Sequence, residues 1–143
     1  MTSMPAKAQQ YRALGLSTFA FTLCFAVWTI FSIIGIRISE ELALSDTQLG
    51  LLMATPILTG SISRLFLGIW TDRYGGRWVF GILMLTTAAC VYLLTFATTY
   101  AMMLVGALGV GLAGGAFIVG VAYTAAWFEP AKQGTALGIF GAG

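Results

Sequence analysis

One side chain in this sequence carries a full charge where its neighbours are oil. Arg64 lies in Gly60-Ser61-Ile62-Ser63-Arg64-Leu65-Phe66-Leu67-Gly68, inside an apolar stretch that ends near Trp70. Six residues at about 1.5 Å each place it about 9 Å from that end. A guanidinium keeps its charge in lipid, and inserting one near a helix centre costs about 2.5–3.5 kcal/mol. That cost is tolerable where the group faces a polar cavity or an anion. Gly60, Ser61 and Gly68 share its helix face at i−4, i−3 and i+4, a small face that leaves room for the guanidinium to extend. Ser63 and Thr59 add further hydroxyls nearby. The planar fork of donors matches flat oxyanions such as carboxylate or nitrate better than an ammonium does. Two other readings use the same residue. Snorkelling to the headgroups would need nearly the full reach of the side chain. An internal ion pair would need an acid, and Glu40, Glu41, Asp46, Asp72 and Glu129 all lie outside the apolar interiors.

A second group of chemistry-bearing residues is Gly68-Ile-Trp-Thr-Asp72-Arg73-Tyr-Gly75-Gly76-Arg77. Gly75 and Gly76 supply turn conformations with positive φ. Arg73 and Arg77 hold a loop on one side of a membrane, and Asp72 can cap a helix or pair with a cation. Such a pair at a membrane edge can latch one conformation; a plain basic loop that only sets topology is the other reading. Little else is reactive. The chain has no histidine, the commonest metal ligand and general base, and Cys24 and Cys90 sit alone in apolar runs as buried thiols. With no nucleophile–base pair and no metal cluster, an enzyme is not expected, nor is a cofactor.

The elements that must position these groups are membrane helices. Of the 143 residues, 59% are hydrophobic and 8% charged, against roughly 25% charged in soluble domains. Lipid must be the solvent for most of such a chain. A net charge of +2 is too small and too scattered for a nucleic-acid partner. Four apolar stretches, about residues 14–36, 47–70, 78–97 and 101–127, each reach the roughly 20 helical residues a bilayer core demands. Backbone satisfaction in lipid makes all four helical. The first is too long for a signal-peptide core, and Ser45-Asp46 reads as the N-cap of the second. A fifth apolar run starts at Gly134 and stops after ten residues at Gly143, which reads as a truncated span. Lys7, Arg12, Arg73, Arg77 and Lys132 fall on one side and Arg37 alone on the other, so the N-terminus is expected in the cytoplasm.

The fourth stretch is rich in glycine. Gly109-Val-Gly111-Leu-Ala-Gly114 matches G-x-G-x-x-G, but no strand precedes it, so a dinucleotide site is rejected. Gly111-x-x-x-Gly115 and Gly134-x-x-x-Gly138, with Gly141 beyond, read as close helix-packing faces. A stripe at helical spacing runs Gly106, Gly109, Ala113, Phe117, Gly120, Thr124. The lone ring of Phe117 is either a packing knob or a platform for a flat ligand.

The loop resembles the G-x-x-x-D-R/K-x-G-x-R/K signature between the second and third helices of the major facilitator superfamily, with Trp78 standing where a further basic residue is common. In that superfamily Gly68, Asp72, Arg73, Gly75 and Arg77 would form a gating latch. Gly114-Gly115-Ala116-Phe117 and Trp127-Phe128-Glu129-Pro130-Ala-Lys132-Gln133-Gly134-Thr-Ala-Leu137-Gly138-Ile-Phe-Gly141-Ala-Gly143 look like the fourth helix, following loop and fifth-helix entry of its nitrate/nitrite porter family. The wording is most like the proton-coupled nitrate-importing branch, although Ala116 replaces a frequent Asn. The family's anion-binding arginine stands eleven residues before the loop's Gly-Gly pair, as Arg64 stands before Gly75, and an aromatic matching Phe117 flanks the anion.

The resemblance implies the first four spans, and the start of a fifth, of an all-α polytopic helix bundle. About a third of a twelve-helix transporter would be present, the C-terminal half being absent. Its expected function is secondary transport of nitrate, or nitrite, across a bacterial inner membrane, with protons as the coupling ion. A major facilitator for another small anion, and a four-helix membrane scaffold, are the alternatives.

Overall fold

A computed structural model describes residues 5–143, and all regular structure among them is helical. In chain order the elements are α1 (Lys7–Trp28), α2 (Ile30–Glu41), α3 (Asp46–Tyr74), α4 (Gly76–Leu94), α5 (Tyr100–Gly111), a 3₁₀ segment (Leu112–Gly115), α6 (Ala116–Trp127) and α7 (Pro130–Gly141). Four helical segments are long and apolar enough to cross a membrane: Lys7–Glu41, Asp46–Tyr74, Gly76–Leu94 and Tyr100–Trp127. The first and last are not single regular helices, as the apolar periodicity alone implies. Thr29 separates α1 from α2, its hydroxyl donating to the Phe25 and Ala26 carbonyls. The fourth segment tightens to 3₁₀ geometry at Leu112–Gly115.

Local chemistry sets the helix ends. Ser45 caps α3 through a capping box: its Oγ accepts from the Gln48 amide at 3.3 Å, and its own amide donates to Gln48 Oε1 at 3.0 Å. Gly75, at φ +88°, stops α3 with its N–H on the Thr71 carbonyl and lets α4 start at once. Thr99 caps α5, its hydroxyl accepting from the Met102 amide. Pro130 opens α7, where a missing N–H costs nothing.

Packing is confined to the inner helix faces, and the outer faces carry apolar side chains in the open. Leu65 is 70% exposed and Leu85 74%, the pattern of a surface meant for acyl chains. One buried cluster joins Leu14, Phe21, Leu67, Phe80, Ala116, Val119 and Phe140. A second, towards the other end of the bundle, joins Phe31, Ile38, Leu52, Ala107 and Val110. Polar groups inside are mostly paired: Ser17 and Thr124 share a hydrogen bond of 3.1 Å between the first and fourth spans.

Close approach of the second and fourth spans depends on glycine. A Cβ at Gly111 would stand 2.8 Å from the Pro56 carbonyl oxygen, and one at Gly115 would collide with Leu67. Gly134, Gly138 and Gly141 differ from the expected packing face, since a Cβ on any of them would meet nothing within 4 Å. The face of α7 that does pack presents Phe140, fully buried beneath Phe21 and Gly120. A small residue marks a close contact only when a neighbour stands opposite, and sequence spacing does not report the neighbour.

Candidate functional site

Arg64 is half-buried on α3, and its side chain turns towards the fourth span rather than along α3 to the helix end. Its Nε–H donates to the Gly114 carbonyl at 3.2 Å, in the 3₁₀ segment midway along that span. Its Cζ stands 6.0 Å from the centroid of the Trp28 ring. That is the outer limit of a cation–π contact, worth about 0.5–2 kcal/mol depending on solvation. With one N–H committed, the four Nη hydrogens remain for a ligand. The guanidinium lines a cavity of about 310 Å³ with Phe21, Phe25, Trp28, Ala113, Gly114 and Phe117.

The hydroxyls near Arg64 do not add to this cavity. Ser61 donates to Ile57 O at 2.9 Å, Ser63 to Gly60 O at 3.1 Å and Thr59 to Thr55 O at 3.0 Å. Each is spent on its own helix, the common outcome for Ser and Thr in apolar surroundings. Gly60 turns towards Gly111 and Gly114, while Gly68 lies in ordinary contact with Ile118. Arg64 is therefore the polar group that meets the aromatic wall.

Phe117 is 44% exposed and lines the same cavity. Its ring leans on Phe21 (5.6 Å between centroids) and Phe140 (6.1 Å), so it is at once packed on one face and open on another. The glycine stripe around it does not form one face. Gly106 and Gly109 abut Leu94 and Cys90 of α4, whereas Gly120 abuts Phe140 of α7. The 3₁₀ segment, at about three residues per turn, rotates α6 away from the register that α5 alone would continue.

The expected Gly68–Arg77 loop is helical except at Gly75, since α3 continues to Tyr74 and α4 starts at Gly76, and the segment is exposed at Asp72, Arg73, Tyr74, Gly75 and Arg77. Asp72 does not cap α4, whose N-terminus has no side-chain cap. Gly76 brings the start of α4 onto α6, where an added Cβ would stand 2.7 Å from Tyr123 Cβ. Arg77 borders a cavity of about 490 Å³ with Arg12, Gln9, Tyr123 and Trp127.

Sequence reasoning missed Phe21, Phe25 and Trp28. Their i, i+4, i+7 spacing on α1 was the available signal, since it aligns three rings on one helix face. Nothing in the sequence indicated that this face meets Arg64.

The family model described as Major Facilitator Superfamily matches residues 16–143. Over 137 residues the chain is 48% identical to the "Probable nitrate/nitrite antiporter NarK1" of Thermus thermophilus, covering 96% of this chain and 31% of that protein. It is 33% identical over 131 residues to the "Probable nitrate/nitrite transporter NarK2" of Mycobacterium tuberculosis, covering 90% of this chain and 33% of that one. With the "Nitrite extrusion protein" of Bacillus subtilis it shares 28% identity over 135 residues, covering 94% and 34%. The chain spans about a third of the length of these curated relatives.

Proposed function

The chain belongs to the major facilitator superfamily, and from that premise we propose that it supplies the anion half-site of a secondary transporter for nitrate, and for nitrite as the closest analogue. The observation that carries this reading is the setting of Arg64. A charged fork is held in mid-span by a backbone carbonyl, with no acid in the apolar interiors to neutralise it, and it opens on an aromatic cavity. An anion entering that cavity would meet four free N–H donors and the exposed face of Phe117. The relatives are named for nitrate and nitrite, both small flat monoanions that this arrangement suits.

In this reading Arg64 and Phe117 bind substrate, and the turn of Gly68, Asp72, Arg73, Gly75 and Arg77 is a gating latch at the cytoplasmic face of a bacterial inner membrane. In this reading the four long apolar segments are the first four spans of the fold, and α7 belongs to a fifth. A polypeptide of the relatives' length would supply further helices to close the open side of the cavity, in keeping with midplane binding between two repeats. Proton-coupled import rests on the resemblance of Trp127–Gly143 to that branch of the family. Exchange of nitrate for nitrite is the second reading. It needs no titratable group in the spans, and the Thermus relative is named an antiporter.

The test is uptake of labelled nitrate by cells lacking their own carriers and expressing the longest reading frame that contains this chain. Arg64→Lys keeps the charge and removes the fork, and is expected to lower kcat/KM at least about tenfold. Wild-type uptake in that variant would sink the assignment of Arg64.

A further inference from the structure

We propose that Trp28 is a positioning residue for the anion site: it holds the Arg64 guanidinium in aim, and through it sets anion affinity. This rests on Arg64 being the anion ligand.

The indole is fixed independently of Arg64. Its Nε1–H donates to the Pro56 carbonyl at 3.1 Å, tying α1 to α3 eight residues before Arg64. Its edge lies in a slot that only glycine permits. A Cβ at Gly114 would stand 2.7 Å from Trp28 Nε1, and one at Gly60 3.1 Å from the same atom. Gly114 thus does two things at once: it forms one wall of the indole slot and accepts the Arg64 Nε–H. Arg64 and Trp28 meet at Gly114 while the indole keeps its own anchor on Pro56, and any shift of the ring moves the surface over which the guanidinium lies.

The chemistry explains why a ring suits this position better than an acid. A cation without a partner in an apolar cavity needs support for its charge. A carboxylate would give that support, but it would also neutralise the arginine and compete with the incoming anion for the same N–H groups. The negative face of an indole stabilises the cation while occupying none of its donors. The fork therefore stays aimed, with its Nη donors free.

The experiment measures anion KM and kcat in the longest reading frame containing this chain, with Arg64→Ala in parallel. Trp28→Leu keeps a smaller apolar side chain and removes both the ring and its bond to the Pro56 carbonyl; it is expected to raise KM about tenfold, with kcat within twofold of wild type. Trp28→Phe, which restores a π face, is expected to return KM to within about threefold. Site-specific replacement of Trp28 by tryptophans of increasing ring fluorination keeps the shape and the fold while weakening the ring face. KM is expected to climb with each added fluorine. A KM indifferent to fluorination, or equal in the Leu and Phe variants, overturns the proposal and leaves Trp28 a packing residue. Should Arg64→Ala itself keep the wild-type KM, the assignment of Arg64 fails first, and the two failures are told apart.

Discussion

Arg64 and Gly114 are joined across two spans by one hydrogen bond of 3.2 Å, Nε–H to carbonyl oxygen. The acceptor lies in a 3₁₀ segment, where intrahelical bonds are poorer and a carbonyl is freer to take a second donor. A buried charge usually finds a countercharge; here it is held by a peptide dipole, which orients the guanidinium without discharging it.

Gly114→Ala tests that support. Its methyl would meet Trp28 Nε1 at 2.7 Å and Cε2 at 3.0 Å, so either the indole or the fourth span must move. We expect a loss of about 1–3 kcal/mol in stability, as for other overpacked sites, and a rise in anion KM. Thermal unfolding in detergent and nitrate uptake measure the two; an unchanged KM would mean the carbonyl does not aim Arg64.

The glycines of the fourth span and of α7 should separate cleanly. Gly111→Ala drives a methyl to 2.8 Å from a backbone oxygen that cannot rotate away, and should cost about 1–3 kcal/mol. Gly134→Ala and Gly138→Ala meet open space within the described residues and should be neutral or stabilise α7 by up to about 1 kcal/mol. Thermal shifts of equal size and sign in both sets would contradict this packing.

Gly75→Ala probes the turn between the second and third spans. At φ +88° and ψ 139° the residue occupies backbone space that side chains resist. A penalty of about 1–3 kcal/mol is expected. Because Gly76 seats α4 directly on Tyr123, the strain should reach α6, and transport should slow with little change in KM. Wild-type stability would argue that the turn relaxes to negative φ at no cost.

Phe117→Leu keeps apolar bulk and removes the flat face that borders the cavity. With nitrate as ligand we expect KM to rise several-fold while folding is nearly unaffected, since volume-conserving apolar swaps usually cost under about 1.5 kcal/mol. Phe117→Tyr should stay near wild type. If the leucine variant loses folded protein instead and keeps its KM, the ring serves packing on Phe21 and Phe140.

Much of this architecture is legible in one dimension. Apolar runs long enough to cross a bilayer must be helical, because lipid offers no partner for a bare peptide group. Ser45 with Gln48, and Gly75 before α4, mark their helix ends through local hydrogen bonds and backbone sterics that involve only near neighbours in the chain. The oddity of Arg64 is likewise plain from the sequence, since charge within an apolar run needs no coordinates to be seen.

Partnership is what needed three dimensions. Trp28, Pro56, Arg64 and Gly114 belong to three different spans, and no periodicity within a span says which face of one meets which face of another. The 3₁₀ segment at Leu112–Gly115 turned the glycine stripe off a single face, and the open surroundings of Gly134 and Gly138 distinguished them from Gly111 and Gly115, although both pairs share one spacing. Spacing is a property of one helix, set by its own 3.6-residue turn. Contact is a property of two, and depends on rotation and approach that the bundle adopts as a whole.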